Sequence, residues 1–265
     1  MKKLLVILSL FLSQCLSATT YYVSVAGNGT NNGTSISTTW NLDKLNSAFS
    51  RLSAGDNVLL KRDDIFYGTL TANKSGASGS PITIGAYGTG ANPVITGFTN
   101  VTAWTNLGSN IWESASAVST LSTCNLVVIN GVNTAMGRYP NTGYLTYQSA
   151  ASNTSITSGS LTGTPNWTGA ELVIRKERWI LDRNTVTSQS GGTLNYSGGG
   201  YNGKANFGFF IQNDVRTLDQ QNEWYYNPST KKIRIYSTTS PRGIQVSTVD
   251  NLLYINSKNY ITVDG

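Results

Sequence analysis

The chain of 265 residues contains no histidine. That excludes a Ser-His-Asp triad, a Cys-His pair and any histidine-ligated metal within it. Cysteine is nearly absent too: Cys15 and Cys124 are the only two, so no disulfide framework holds the fold. Charged residues make up 12% of the chain. Acid–base chemistry would have to come from sparse carboxylates, Lys, Arg or Tyr. Apolar runs are short, and none can span a bilayer as a permanent helix. Stability must therefore come from hydrogen-bond ladders and packed apolar rows.

The start of the chain, MKKLLVILSLFLSQCLSA, reads as a secretory signal over residues 1–18. Lys2 and Lys3 form the charged start, Leu4 to Leu12 the apolar run, and Ala18 the cleavage edge. Gln14 before Cys15 fits a lipidation box poorly, so a secreted, periplasmic or cell-surface protein is expected rather than one anchored at Cys15. Removing residues 1–18 leaves about 247 residues, enough for one large domain or a domain with an insert. It also takes away two lysines, which lowers the formal charge from +6 to +4. A balance this mild suits an acidic polysaccharide but is too weak and dispersed for nucleic acid.

After the leader, one alternating strand (TTYYVSV) gives way to a Gly/Asn loop. Leu42, Leu45, Ala48, Phe49 and Leu52 then recur at helical spacing, which predicts a helix at about 41–52 with Asn41 as N-cap. Short strands are expected at 57–61, 68–72, 81–87 and 93–97. Val58, Leu70, Ile84 and Ile95 fall roughly a dozen residues apart, a rhythm that suits stacked solenoid coils. A β-sandwich is the competing reading, but it has no natural place for an early helix followed by such brief strands. An amphipathic helix can cover the open end of a solenoid.

From about 120 to 240 the pattern changes. LVVINGVNTAMGRYPN has the form of a hairpin with Asn130-Gly131 at its turn. A Ser/Thr/Gly-rich loop is expected at 148–168, followed by longer strands in AELVIRKERWILD and TVTSQSGGTLNYS. EWYYN and KKIRIYS flank a turn opened by Pro228. Trp224 and Tyr226 would share one face with a buried Ile233/Ile235 row, and FGFFIQN would add a strand to the same core. At 244–263 the short rhythm returns in IQVSTV, LLYIN and YITVDG.

Two blocks carry a family resemblance. YYVSVAGNGTNNGTS, WNLDKLNS, AGDNVLLKRDDIFYGTL and GSPITIGAYGTGANPVITG together resemble the N-terminal cap and opening coils of secreted bacterial right-handed parallel β-helix proteins of the pectate-lyase-like superfamily. INGVNTAMGRYPN, WTGAELVIR and LDQQNEWYYNPSTKKIRIY resemble the inserted β subdomain of β-helix glycoside hydrolases. The resemblance implies an all-β chain: a right-handed parallel β-helix with a short N-terminal capping helix and an antiparallel insert. The divisions are 19–119 for the cap and first coils, 120–240 for the insert and 241–265 for the return to coils. The chain stops at Gly265 on a strand and turn with no polar cap, so truncation at the C-terminus is expected, and the resemblance implies catalytic residues beyond Gly265. The expected partner is a polysaccharide or oligosaccharide, with no nucleic acid and no transmembrane segment. The expected function is the N-terminal part of a secreted polysaccharide-degrading enzyme, a glycoside hydrolase in preference to a polysaccharide lyase. A non-catalytic glycan-binding or adhesin-type β-helix is the alternative. No cofactor is expected; a lyase would use Ca²⁺ to neutralise a uronate, but clustered carboxylate ligands are not visible.

Asp63 and Asp64 are adjacent, and neighbours on a strand point to opposite faces, so a solvated turn is their expected place. Glu171, Glu177, Asp182, Asp214, Asp219 and Glu223 lie in the insert. Glycosidase carboxyls stand about 5 Å apart in retaining enzymes and roughly 6.5–9.5 Å in inverting ones, a convergence that sequence cannot assign. Asp214 reads as the N-cap of a short turn and Glu223 as a residue fixing the turn before a strand. Arg138, beside Tyr139 and Pro140, offers several donors for sugar hydroxyls or carboxylates; its alternative roles are an internal ion pair or a cap on backbone carbonyls. The substrate-binding candidates are Arg138, Tyr139, Asp214 and Glu223, with no metal ligand among them. The Gly-rich SGGGYNGKANFG lacks phosphate-loop spacing and reads as a loop.

Overall fold

The computed structural model describes residues 17–264. All but the last two residues of the expected leader, and with them Cys15, lie outside the described residues. Among those described, nearly every element is a strand; the α-helix Leu42–Ala48 and two short 3-10 turns are the exceptions. The chain divides into two compact units. One takes the described residues up to Thr96 and from Asn251 onward; the other is Gly97–Asp250.

In the first unit the named strands among the described residues all pair in parallel. Thr20–Val23, Asn57–Lys61, Ile82–Tyr87 and Ile261–Val263 form one sheet in that order. Ile65–Tyr67 pairs with Val94–Thr96, and Leu70–Thr71 with Leu253–Tyr254. The chain thus visits three parallel pairings in rotation, leaves after Thr96 and rejoins at Leu253. Period-two alternation buries Val58 and Leu60 on one strand and Ile82 and Ile84 on the next. The register sets Val58 beside Ile84 and Ile82 beside Ile261, so like residues stack in rows. The helix contributes Leu42, Leu45 and Ala48 to this core, and Phe49 follows in the 3-10 turn. Asn41 caps the helix by accepting the Lys44 backbone N–H at 2.8 Å. Asp63 and Asp64 sit in a turn and accept the backbone N–H groups of Ala91 and Val25 at 2.8 and 2.7 Å. They hold loops in place and do not face one bond.

The second unit is antiparallel. Its largest sheet runs Arg138–Tyr139, Gly208–Gln212, Glu171–Glu177, Ile180–Ser190, Thr193–Tyr196, Ser155–Thr157, Ser149–Ser152, and Leu145–Thr146 also pairs with Gly208–Gln212. Tyr147, Ile156, Trp167, Leu172, Ile174, Leu194, Phe209 and Ile211 pack together beneath it. Two four-stranded sheets share another core. One comprises Val132–Thr134, Val127–Ile129, Ile244–Ser247 and Phe98–Val101; the other Trp224–Asn227, Lys232–Tyr236, Ile111–Ser114 and Trp104–Gly108. Trp224, Tyr226, Ile233 and Ile235 lie in that core, all nearly inaccessible. Asn130 and Gly131 both have positive φ, as a tight hairpin turn demands.

Several expectations change. Antiparallel pairing begins at Phe98 and ends at Ser247, a wider span than 120–240, because Ile244 pairs with Val101 and Ile235 with Trp112. IQVSTV accordingly supplies an antiparallel strand, not a coil. Residues 148–168 hold the hairpin Ser149–Ser152/Ser155–Thr157 rather than a plain loop. FGFFIQN joins the largest sheet, not the core of Trp224, since Phe209 and Ile211 face Leu172 and Ile174.

Candidate functional site

Alternation along the largest sheet sorts its residues into two faces. Leu172, Ile174, Phe209 and Ile211 face the core, so Val173, Arg175 and Phe210 face outward. Register places Phe210 beside Val173, Leu181 beside Arg175, and Arg138 beside Gln212. Glu177 pairs with Ile180, which leaves Arg178 and Trp179 at the tip of a two-residue hairpin. Arg138, Tyr144, Arg175, Arg178, Trp179 and Phe210 help line a cleft of about 420 Å³, a size suited to a small ligand.

Large apolar surface is exposed here: Trp179 is 75% accessible, Tyr144 70% and Leu181 65%. Aromatic rings exposed in this way offer flat faces to the C–H side of a pyranose. Gly208 makes the arrangement possible, because a Cβ there would lie 3.0 Å from the Tyr144 Cβ. The Arg138 guanidinium lies 3.8 Å from the centre of the Phe210 ring. Its Nε donates to the Pro140 carbonyl at 3.0 Å and its Nη2 to the Gly143 carbonyl. Burial pulls the Arg138 pKa below its ordinary value, with Tyr144 opposing, and the group remains a cation at neutral pH. Arg175 donates to the Arg178 carbonyl at 2.8 Å, which braces the hairpin tip.

The four sequence candidates do not converge. Arg138 caps backbone carbonyls and also lines the cleft. Tyr139, one residue on, turns to the other face and stacks on Trp167 at 5.3 Å between ring centres. Asp214 caps the 3-10 turn Val215–Thr217, accepting the Arg216 backbone N–H at 2.8 Å, and pairs with the Arg216 guanidinium. That guanidinium lies 5.5 Å from the Trp167 ring, so Tyr139 and Asp214 belong to one packed cluster around Trp167. Glu223 accepts the backbone N–H groups of Asp219 and Gln220 at 3.0 and 2.9 Å. Burial raises its pKa above the usual carboxylate value, against those hydrogen bonds.

Tyr144, Arg175, Arg178, Trp179 and Phe210 escaped sequence reasoning. KERWI contains no Gly, Pro or Asn to mark a turn, so the hairpin tip was hidden inside an apparent strand. A tryptophan beside three charged residues was the one available signal.

A second groove of about 470 Å³ is lined by Glu171, Arg183, Asn213 and Tyr225 among others. Its charges are already matched: Arg183 grips both Glu171 oxygens at 2.7 and 2.9 Å, and Gln212 donates to Glu171 at 2.6 Å. Among the described residues no three Asp, Glu, Cys or His side chains gather as a metal site. None of their helices is long and apolar enough to cross a membrane.

No protein-family model and no curated protein matches the sequence. The fold does have solved counterparts. A structure described as a glycoside hydrolase is 15% identical, with a TM-score of 0.69 over 93% of this chain and 49% of its own. The complex of XylC with xylose is 15% identical over 93% of this chain and 34% of its own, with a TM-score of 0.49. The lacto-N-biosidase of GH136 from Eubacterium ramulus is 36% identical, but over 31% of this chain and 14% of its own, with a TM-score of 0.27. The first likeness establishes a shared fold with a carbohydrate-active protein, and the chain spans about half the length of that neighbour.

Proposed function

We propose that this chain is the N-terminal part of a secreted polysaccharide-degrading enzyme, a glycoside hydrolase in preference to a lyase. The observation that carries the reading is the fold shared over nearly the whole chain with half of a glycoside hydrolase. In this reading the first unit is the capped start of a right-handed parallel β-helix and the antiparallel unit is an insert in it. The rotation through three parallel pairings supports this. So do Leu253, Tyr254 and Val263, which leave apolar surface exposed on the last parallel strands and would be covered by further coils. The bond-breaking carboxylates would then lie on such coils beyond Gly265, while the cleft at Arg138 and Trp179 holds part of the glycan.

A second reading, a non-catalytic glycan-binding or adhesin-type protein, is favoured by one feature: the cleft is lined by arginines and aromatics without a carboxylate. Hydrolysis through a carboxyl pair needs two such groups. The test is to incubate the protein with neutral and acidic oligosaccharides, measuring binding, reducing-end release and unsaturated-uronate absorbance. The 265-residue chain should bind glycan without cleaving it, and a longer product of the same gene should release reducing ends. Binding without cleavage by both selects the second reading, and unsaturated products select a lyase. No binding and no cleavage overturns the carbohydrate assignment.

A further inference from the structure

We propose that the cleft between Arg138 and Trp179 is an accessory subsite for an anionic saccharide, whose carboxylate or sulfate is gripped by Arg138, Arg175 and Arg178. The proposal rests on the glycan reading above and adds the charge of the sugar to it.

The second unit sorts its arginines into two kinds. Arg183 is paired with Glu171, Arg216 with Asp214 and Arg234 with Glu113. Among the described residues of this unit Arg138, Arg175, Arg178 and Arg242 form no ion pair; the first three line the same cleft, and Arg242 lines a separate groove. Lys176, next to Arg175 in sequence, is matched with Asp182, and Lys204 with Glu177. In a chain with few charges, three guanidiniums without an acidic partner line one concave site, which gives it a positive potential that favours an incoming anion.

The hydrogen bonds these arginines do make strengthen the case. Arg138 and Arg175 donate to neutral backbone carbonyls, which fix each guanidinium plane without neutralising it. Each Arg keeps further N–H donors of its five for a ligand. The planar fork matches a carboxylate or a sulfate edge. Trp179 and Tyr144 stand beside the cations as exposed ring faces, whereas the Phe210 face is taken by Arg138. Ring faces for the sugar body and guanidiniums for its acid group describe a charged pyranose better than a neutral one. Single-stranded nucleic acid also uses aromatics and arginine, but it needs a basic track along several phosphates, and this cluster is confined to one cleft.

Calorimetry with matched short oligosaccharides tests the proposal: galacturonate (carboxylate), a sulfated galactan fragment, a neutral xylan fragment, and a single-stranded oligonucleotide. An anionic saccharide should bind more tightly than the neutral one, and added salt should weaken it. Arg178→Gln should weaken anionic binding roughly tenfold, since a charge-assisted hydrogen bond is at stake, and change neutral binding far less; Arg175→Gln also removes the brace on the hairpin tip and should weaken both. Trp179→Ala should weaken both. Arg178 and Trp179 are exposed at a hairpin tip, so an unchanged melting midpoint will certify the fold of those variants. Preference for galacturonate identifies a carboxylate ligand; preference for the galactan identifies a sulfate. Equal binding of the neutral fragment, indifferent to Arg178→Gln, overturns this proposal and leaves the glycan reading standing. Binding of no saccharide overturns both, and preference for the oligonucleotide overturns this one in favour of a nucleic-acid site.

Discussion

The two units bury different things. The parallel unit stacks aliphatic rows, Val58 on Ile84 and Ile82 on Ile261, against Phe49 and the helix, and its buried carboxylate, Asp56, accepts backbone N–H groups from Thr19 and Ser53. The antiparallel unit buries Lys176, Glu177, Asp214 and Glu223, each with an ion partner or backbone bonds. The parallel strands set like residue beside like, which fills their interior with aliphatic rows. An antiparallel sheet with one core face leaves the other free to carry chemistry. The contrast teaches where to look for recognition: on the outer face of the sheet whose inner face is already satisfied.

Substitutions sharpen that contrast. Phe49→Ala should cost the parallel unit about 3–5 kcal/mol, because a fully buried ring leaves a cavity among close-packed rows; a shift in the denaturant midpoint measures it. Ile233→Ala should cost about 2–5 kcal/mol in the antiparallel unit. An unchanged midpoint there would place Ile233 on the wrong face. Asn41→Ala should cost about 0.5–2 kcal/mol through the lost helix cap, with Asn41→Asp close to neutral. Gly208→Ala should act on the cleft more than on stability: the new methyl pushes Tyr144 off the sheet and weakens saccharide binding while the melting midpoint moves little.

The smallest effect concerns pH. Burial raises the folded-state pKa of Glu223 above that of the unfolded chain. The native state therefore holds its proton to higher pH than the unfolded state does. This contribution to stability is fully present below the unfolded pKa and is lost as pH rises through the folded one. Glu223→Gln should flatten that slope in melting curves taken from acid to neutral pH, because an amide oxygen can still accept from Asp219 and Gln220. An unaltered slope would assign the dependence to another group.

Elements with local signals were legible in the sequence. Asn41 and the 3–4 spacing announced the helix, the alternation of NVLLK gave a strand at Asn57–Lys61, and Asn130-Gly131 marked a hairpin. What could not be read depended on distant partners. Trp104–Gly108 and Ile111–Ser114 fall among the expected first coils, yet they are antiparallel, because Ile235, more than a hundred residues on, pairs with Trp112. The candidate site was legible only in Arg138. Its companions reach the cleft through the register of three strands, and register is a property of pairing that composition does not encode.

A crystal structure of the protein with a bound galacturonate oligosaccharide tests the central claim most directly. The account predicts a sugar ring against Trp179 or Tyr144, with its carboxylate within hydrogen-bond distance of at least two of Arg138, Arg175 and Arg178. A saccharide seated elsewhere, or a cleft left open at saturating ligand, would contradict it.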